Sequence, residues 1–197
     1  MVTSTDGTPA QLKTRGSEWR GKTLWEVVQM ELTKMNDSGL IPYWDIENGV
    51  LDQDSFNNFS GSPQETLAWN RYLEKHVPLN TGSYGLLTRG MYAAQLRPWL
   101  RAFDRTQFLC LKLESMNCRV PETMQKVWAH LDLPSHPIAD ESARNSRQYD
   151  STEPRIRDYL QRFFEPHNRD LVSFLQKHEL SSEDWINPWP YDLLEQQ

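Results

Sequence analysis

The stretch from Leu86 to Met116 limits the possible folds more than any other. Within it Tyr92, Leu96, Trp99, Leu100 and Phe103 recur at i, i+4, i+7, i+8 and i+11, the period of a helix that buries one face. Phe108, Leu109, Cys110 and Leu111, then Leu113, follow as a short apolar run between Asp104-Arg105 and Glu114-Ser115. That length and those bounds suit a buried strand. An amphipathic helix feeding a buried strand is half of an α/β layer unit. The expectation is an α/β fold, mostly helical in this chain, with one or few short strands. A single exposed strand of this kind needs cover, from a partner or from a second copy of the chain.

Around this stretch the chain reads as helices joined by polar loops. Thr23 with Glu26 three residues on is a capping box. It opens a helix whose face is Leu24, Val27, Val28, Leu32 and Met35, stopped by Asn36-Asp37-Ser38-Gly39. Residues 40–61 are rich in Asn, Asp, Gly and Ser and read as a loop, with Tyr43, Trp44, Phe56 and Phe59 tucked against the body. Ser62-Pro63-Gln64-Glu65 starts a second helix with Leu67, Trp69, Tyr72 and Leu73 as its face. In the central helix Pro98 removes a hydrogen bond, at a cost of about 3 kcal/mol, or forces a kink. Pro121-Glu122 opens a further helix with Met124, Val127, Trp128 and Leu131 inward. A last helix, capped by Ser151 or Thr152, buries Ile156, Tyr159, Leu160, Phe163 and Phe164, kinks at 165–168, and continues through Leu171, Phe174 and Leu175. With 197 residues the expectation is one domain over 21–190, between polar tails at 1–20 and 191–197.

Composition narrows the function classes. Eight Trp and 38% hydrophobic residues suit a packed core. A net charge of −6 argues against a general nucleic-acid surface, while leaving room for one local basic pocket. Cys110, inside the apolar run, reads as a buried thiol, and neither the two cysteines nor the five scattered histidines show metal-ligand spacing. No apolar run approaches the length of a membrane span, and the start of the chain does not read as a signal peptide. Two sequons begin at Asn36 and Asn58. Residues Gly16 to Thr23 spell the phosphate-loop pattern G-x-x-x-x-G-K-T, but no buried strand precedes it to aim its N–H groups at a phosphate. The capping role of Thr23 is the simpler reading, and a phosphate-loop NTPase is a distant alternative.

Two sets of fixed offsets carry a family resemblance. Arg89-Gly90-x-Tyr92-x-x-Gln95-Leu96-x-x-Trp99-Leu100-x-x-Phe103, with the apolar run ending in Glu114, resembles the sulfotransferases, above all the carbohydrate, heparan-sulfate-type enzymes. Tyr159-Leu160-x-x-Phe163-Phe164-x-Pro166-His167-Asn168-x-x-Leu171, followed by an acidic-Trp ending at Trp185, resembles their closing helix. The resemblance implies a P-loop-like sulfotransferase fold and sulfonyl transfer from 3′-phosphoadenylyl sulfate (PAPS) to a hydroxyl or amine of a glycan-like acceptor. It implies that Arg147, in register with a family Arg, grips the nucleotide phosphate together with Arg144, Ser146 and Tyr149. It places Arg89 and Tyr92 beside the acceptor, while core packing is the default for Tyr92 as a member of the apolar stripe. The family's Lys-x-Gly-Thr-Thr donor loop, its central Arg-Asn-Pro segment and its catalytic base are not found in these residues. The chain therefore reads as a truncated C-terminal half, without the N-terminal anchor of the family's Golgi members. The alternative is a non-catalytic helical binding or scaffold module.

Overall fold

The computed structural model describes residues 21–76, 85–138 and 151–180. The described residues are mostly helical. Helix α1 spans Leu24–Asp37, α2 Gln53–Phe59, α3 Pro63–His76, α4 Tyr92–Ala102, α5 Leu113–Cys118, α6 Val120–His130 and α7 Pro154–Lys177. Two-residue strands β1 (Trp44–Asp45) and β2 (Val50–Leu51) pair antiparallel, Trp44 opposite Leu51 and Asp45 opposite Val50. Single 3₁₀ turns lie at Thr88–Gly90 and Arg105–Gln107.

Helix α1 forms as its sequence dictates. The Glu26 N–H donates to the Thr23 hydroxyl at 3.2 Å and the Thr23 N–H donates back to the Glu26 carboxylate at 2.6 Å. Those bonds hold the Glu26 carboxyl below its ordinary range. At the far end Leu40 N–H reaches the Met35 carbonyl and Gly39 N–H the Asn36 carbonyl, both at 2.8 Å, the Schellman pattern. Gly39 has φ +72°, which an L side chain resists. Val27, Val28, Leu32 and Met35 are buried as expected.

Residues 40–61 are more ordered than their composition suggests. Asp45 accepts from the Glu47 and Asn48 N–H groups at 3.0 and 3.1 Å, which bends the hairpin. Asp52 then caps α2 through the Ser55 N–H at 3.1 Å. The aromatics do tuck inward. Trp44 donates its indole N–H to the Tyr159 hydroxyl at 2.8 Å, which donates in turn to the Ile46 carbonyl at 3.0 Å. Tyr43, Phe56, Phe163 and His167 meet edge-on or tilted beneath them. Strands of two residues are too short to show a period, so the hairpin left no hydrophobic signature.

Helix α7 runs unbroken for 24 residues through Pro166, which is fully buried. Neither Ser151 nor Thr152 caps it; Glu153 holds the N-cap position without a side-chain bond. Its face of Ile156, Tyr159, Phe163, Leu171 and Leu175 is buried as the spacing requires.

Three expectations are corrected. The strand over Phe108–Leu113 does not form among the described residues. Phe108 and Lys112 have extended backbone, yet the segment's one bond to a distant residue runs from Cys110 N–H to the Leu180 carbonyl at 3.1 Å, and Leu113 already begins α5. A lone extended segment has no ladder to complete. Phe108 and Cys110 instead pack, half-buried, on Ala93, Leu171, Leu175 and Leu180. The α/β layer unit is thus replaced by helix on helix. Second, the stripe of α4 is rotated. Tyr92, Trp99 and Phe103 are 55, 56 and 47% exposed, and Ala93 turns inward, where its small side chain lets α4 approach α7. Third, α3 buries Glu65, Ala68 and Tyr72 while Leu67 and Leu73 face out, and Leu131 after α6 is exposed. In each case the period was right and the phase was set by which face met a neighbour.

Candidate functional site

A cleft of about 590 Å³ lies between α3 and α4, closed at one end by the Thr88–Gly90 turn. Its wall includes Arg89, Arg101, Gln95, Trp69, Trp99 and the Arg97–Glu65 pair. The Trp69 indole N–H is buried with no hydrogen-bond partner among the described residues.

The turn that carries Arg89 is held from both sides. Glu31 of α1 is 5% exposed and its carboxylate accepts from Leu87 N–H at 3.0 Å, Thr88 N–H at 3.0 Å and the Thr88 hydroxyl at 3.1 Å. A carboxylate at these free N–H groups does the work of a helix cap. From α4, Gln95 donates its amide to the Thr88 and Arg89 carbonyls at 3.0 and 3.1 Å. Gly90 lies against the Phe164 ring, where a β-carbon would come within 2.5 Å of it. Gly90 and Phe164 belong to the two separate motifs of the sequence, and they meet here. The backbone of Arg89 is therefore positioned while its side chain stays exposed at the cleft.

Beneath the cleft lies an ion network. Arg97 donates to Glu65 at 3.0 Å and to both oxygens of Asp170 at 2.7 and 2.6 Å. Ser60 Oγ accepts from Arg97 at 2.9 Å and donates to Asp170 at 2.9 Å. The Gly61 N–H completes Glu65 at 2.8 Å. Burial pushes the Glu65 carboxyl above its ordinary range, against the pull of Arg97. His167, beside Tyr43 at 3.3 Å, is pushed down to about 3 by burial first and by the Arg97 charge second. A neutral, enclosed imidazole of that kind packs; it does not shuttle protons near neutral pH.

The sequence candidates separate accordingly. Arg89 stands in the cleft wall. Tyr92 is exposed at the first turn of α4, outside that wall and outside the core that its place on the stripe assigned it. Arg144, Ser146, Arg147 and Tyr149 lie outside the described residues. Thr23 acts as the helix cap expected. Trp69, Trp99, Arg101, Glu31 and the Arg97–Asp170 pair were not singled out from sequence. Arg97 and Asp170 are 73 positions apart, and no local pattern announces such a pair. Among the described residues no group of His, Cys, Asp or Glu is arranged to hold a metal ion, and no helix is long and apolar enough to cross a membrane.

Comparison with known proteins points to sulfotransferases. Carbohydrate sulfotransferase 15 of Homo sapiens is 32% identical over 120 residues, 54% of this chain and 20% of that protein. The membrane-associated sulfotransferase kil1 of Dictyostelium discoideum is 24% identical over 95 residues, 48% of this chain and 20% of that protein. The chain thus spans about a fifth of the length of these curated relatives. No family model matches the chain, and no solved structure matches it significantly.

Proposed function

We propose that the chain contributes the acceptor side of a PAPS-dependent sulfotransferase that moves a sulfonyl group to a hydroxyl or amine of a carbohydrate-like acceptor. The observation that carries this reading is the cleft of Arg89, held open by residues of the very segment that resembles sulfotransferases. Its wall combines exposed aromatic surface (Trp69 and Trp99) with guanidinium groups, a pairing suited to a sugar ring bearing polar or anionic substituents. Tyr92, exposed three residues beyond Arg89, is available to the same ligand.

In this reading Arg147 supplies the main grip on the donor's phosphate, with Arg144, Ser146 and Tyr149 beside it. Fork donors and hydroxyls are the groups that a phosphate requires. The donor's sulfonyl loop and the base that takes the acceptor proton come from the remainder of the fold, which the chain's one-fifth share of its relatives does not represent.

The test is calorimetric titration of the chain with 3′-phosphoadenosine 5′-phosphate. Binding that weakens at least about tenfold in Arg147→Ala, a loss of about 1.4 kcal/mol, supports the nucleotide role. No heat, or heat unchanged by Arg147→Ala, removes it. A chain that binds glycans and no nucleotide is a binding module instead.

A further inference from the structure

A second cavity of about 500 Å³ adjoins the first. It is framed by the α2–α3 connection, α4 and the last turn of α7, with Ser60, Ser173, Lys177 and His178 in its wall. Arg97 and Arg101 stand in the walls of both cavities, so the two are neighbours across one partition. Each is of a size that ordinarily holds a small ligand.

The charges of this surface are unevenly satisfied. The two carboxylates in the walls, Glu65 and Asp170, are taken up by Arg97, Ser60 and the Gly61 N–H. Arg89, Arg101 and Lys177 pair with no carboxylate among the described residues. Four cations thus face two carboxylates, on a chain whose net charge is −6. A general attraction of polyanions is opposed by that net charge, so an anion held here is held by these side chains.

We propose that the Arg89 cleft continues into an anion subsite formed by Arg101, Lys177, His178 and the Ser60 and Ser173 hydroxyls, and that an acidic oligosaccharide occupies both. This rests on the acceptor reading above and extends it. One sugar unit lies against the aromatic wall beside Arg89. A sulfate or carboxylate on a neighbouring unit takes the Lys177 side. Lysine supplies a mobile point charge and arginine a planar fork, so the subsite accepts either anion. The partition stays neutral because Arg97 is already paired.

The experiment titrates the full chain, without nucleotide, with a heparin-derived disaccharide, a heparin-derived hexasaccharide and neutral maltohexaose. The hexasaccharide is expected to bind at least about tenfold more tightly than the disaccharide, which is about 1.4 kcal/mol. Lys177→Ala, at an exposed position, is expected to erase that gain and leave disaccharide binding unchanged. Arg89→Ala is expected to weaken both. Equal binding of the two lengths, or a gain that survives Lys177→Ala, overturns the second subsite and leaves the acceptor reading standing. Binding of neither, or of maltohexaose as tightly as the hexasaccharide, overturns both readings. Competition by 3′-phosphoadenosine 5′-phosphate that depends on Lys177 assigns the anion to the nucleotide and overturns the subsite.

Discussion

The two sides of the molecule use aromatic residues in opposite ways. Around α7, the rings of Tyr43, Trp44, Phe56, Tyr159 and Phe163 are buried and in contact, with their polar atoms joined to one another or to the backbone. Along α4 to α6, Trp99 and Phe103 stack at 5.5 Å yet remain about half exposed, and Leu113, Leu131 and Leu133 are exposed with them. The periodicity of the two sides is equally regular. The difference is that α7 meets the hairpin, α1 and α2, whereas the outer face of α4 meets no other element among the described residues. Amphipathicity states that a helix has a side to cover; only a neighbour decides which side is covered.

This contrast can be broken by substitution. Phe163→Ala, at a fully buried ring, is expected to cost roughly 3–5 kcal/mol in urea unfolding. Trp99→Ala deletes a larger side chain and is expected to stay within about 0.5 kcal/mol. Comparable losses at both positions would mean that α4 is covered in solution.

The ion pairs offer the next largest contrast. Removing Arg97 strands Glu65 and Asp170, whose side chains are 9 and 20% exposed, so Arg97→Ala is expected to cost about 3 kcal/mol. The Arg105–Glu179 pair is exposed on both sides, and Arg105→Ala is expected to leave the unfolding midpoint where it was. A similar shift in both would show that the network beneath the cleft is no better shielded than the surface.

The smallest effect is that of pH. His167 is held neutral in the fold, down to about 3, and an unfolded histidine titrates near 6.5. The unfolded state therefore binds the extra proton first. The stability contributed is complete above pH 6.5 and is lost as pH falls from there toward 3. Between pH 6.5 and 5 the loss is expected to be about 2 kcal/mol. Chemical unfolding at the two pH values measures it, and His167→Gln should flatten that part of the curve. An unchanged slope in the variant would mean that the ring is hydrated in solution.

How far the sequence led differs from element to element. The Thr23–Glu26 box, the stop at Gly39, the start at Ser62-Pro63 and the buried face of α7 were legible because their causes lie within a few residues. The hairpin was hidden by its brevity. The strand over Phe108–Leu113 was misread because an apolar run of that length specifies burial, not pairing. At the site, Arg89 was legible through the motif it opens. Glu31 was not, since its partners Leu87 and Thr88 lie more than 50 residues away.

By itself, then, the sequence determined the helix ends, the hydrophobic period of each helix and the resemblance to sulfotransferases, because caps, periods and motif offsets are all properties of short stretches. The tertiary structure alone decided which face of α3 and α4 turned inward, that Gly90 had to admit the Phe164 ring, and that Arg97 joined Glu65 to Asp170. Those outcomes depend on what stands opposite each residue, and burial and charge pairing act across space regardless of distance along the chain.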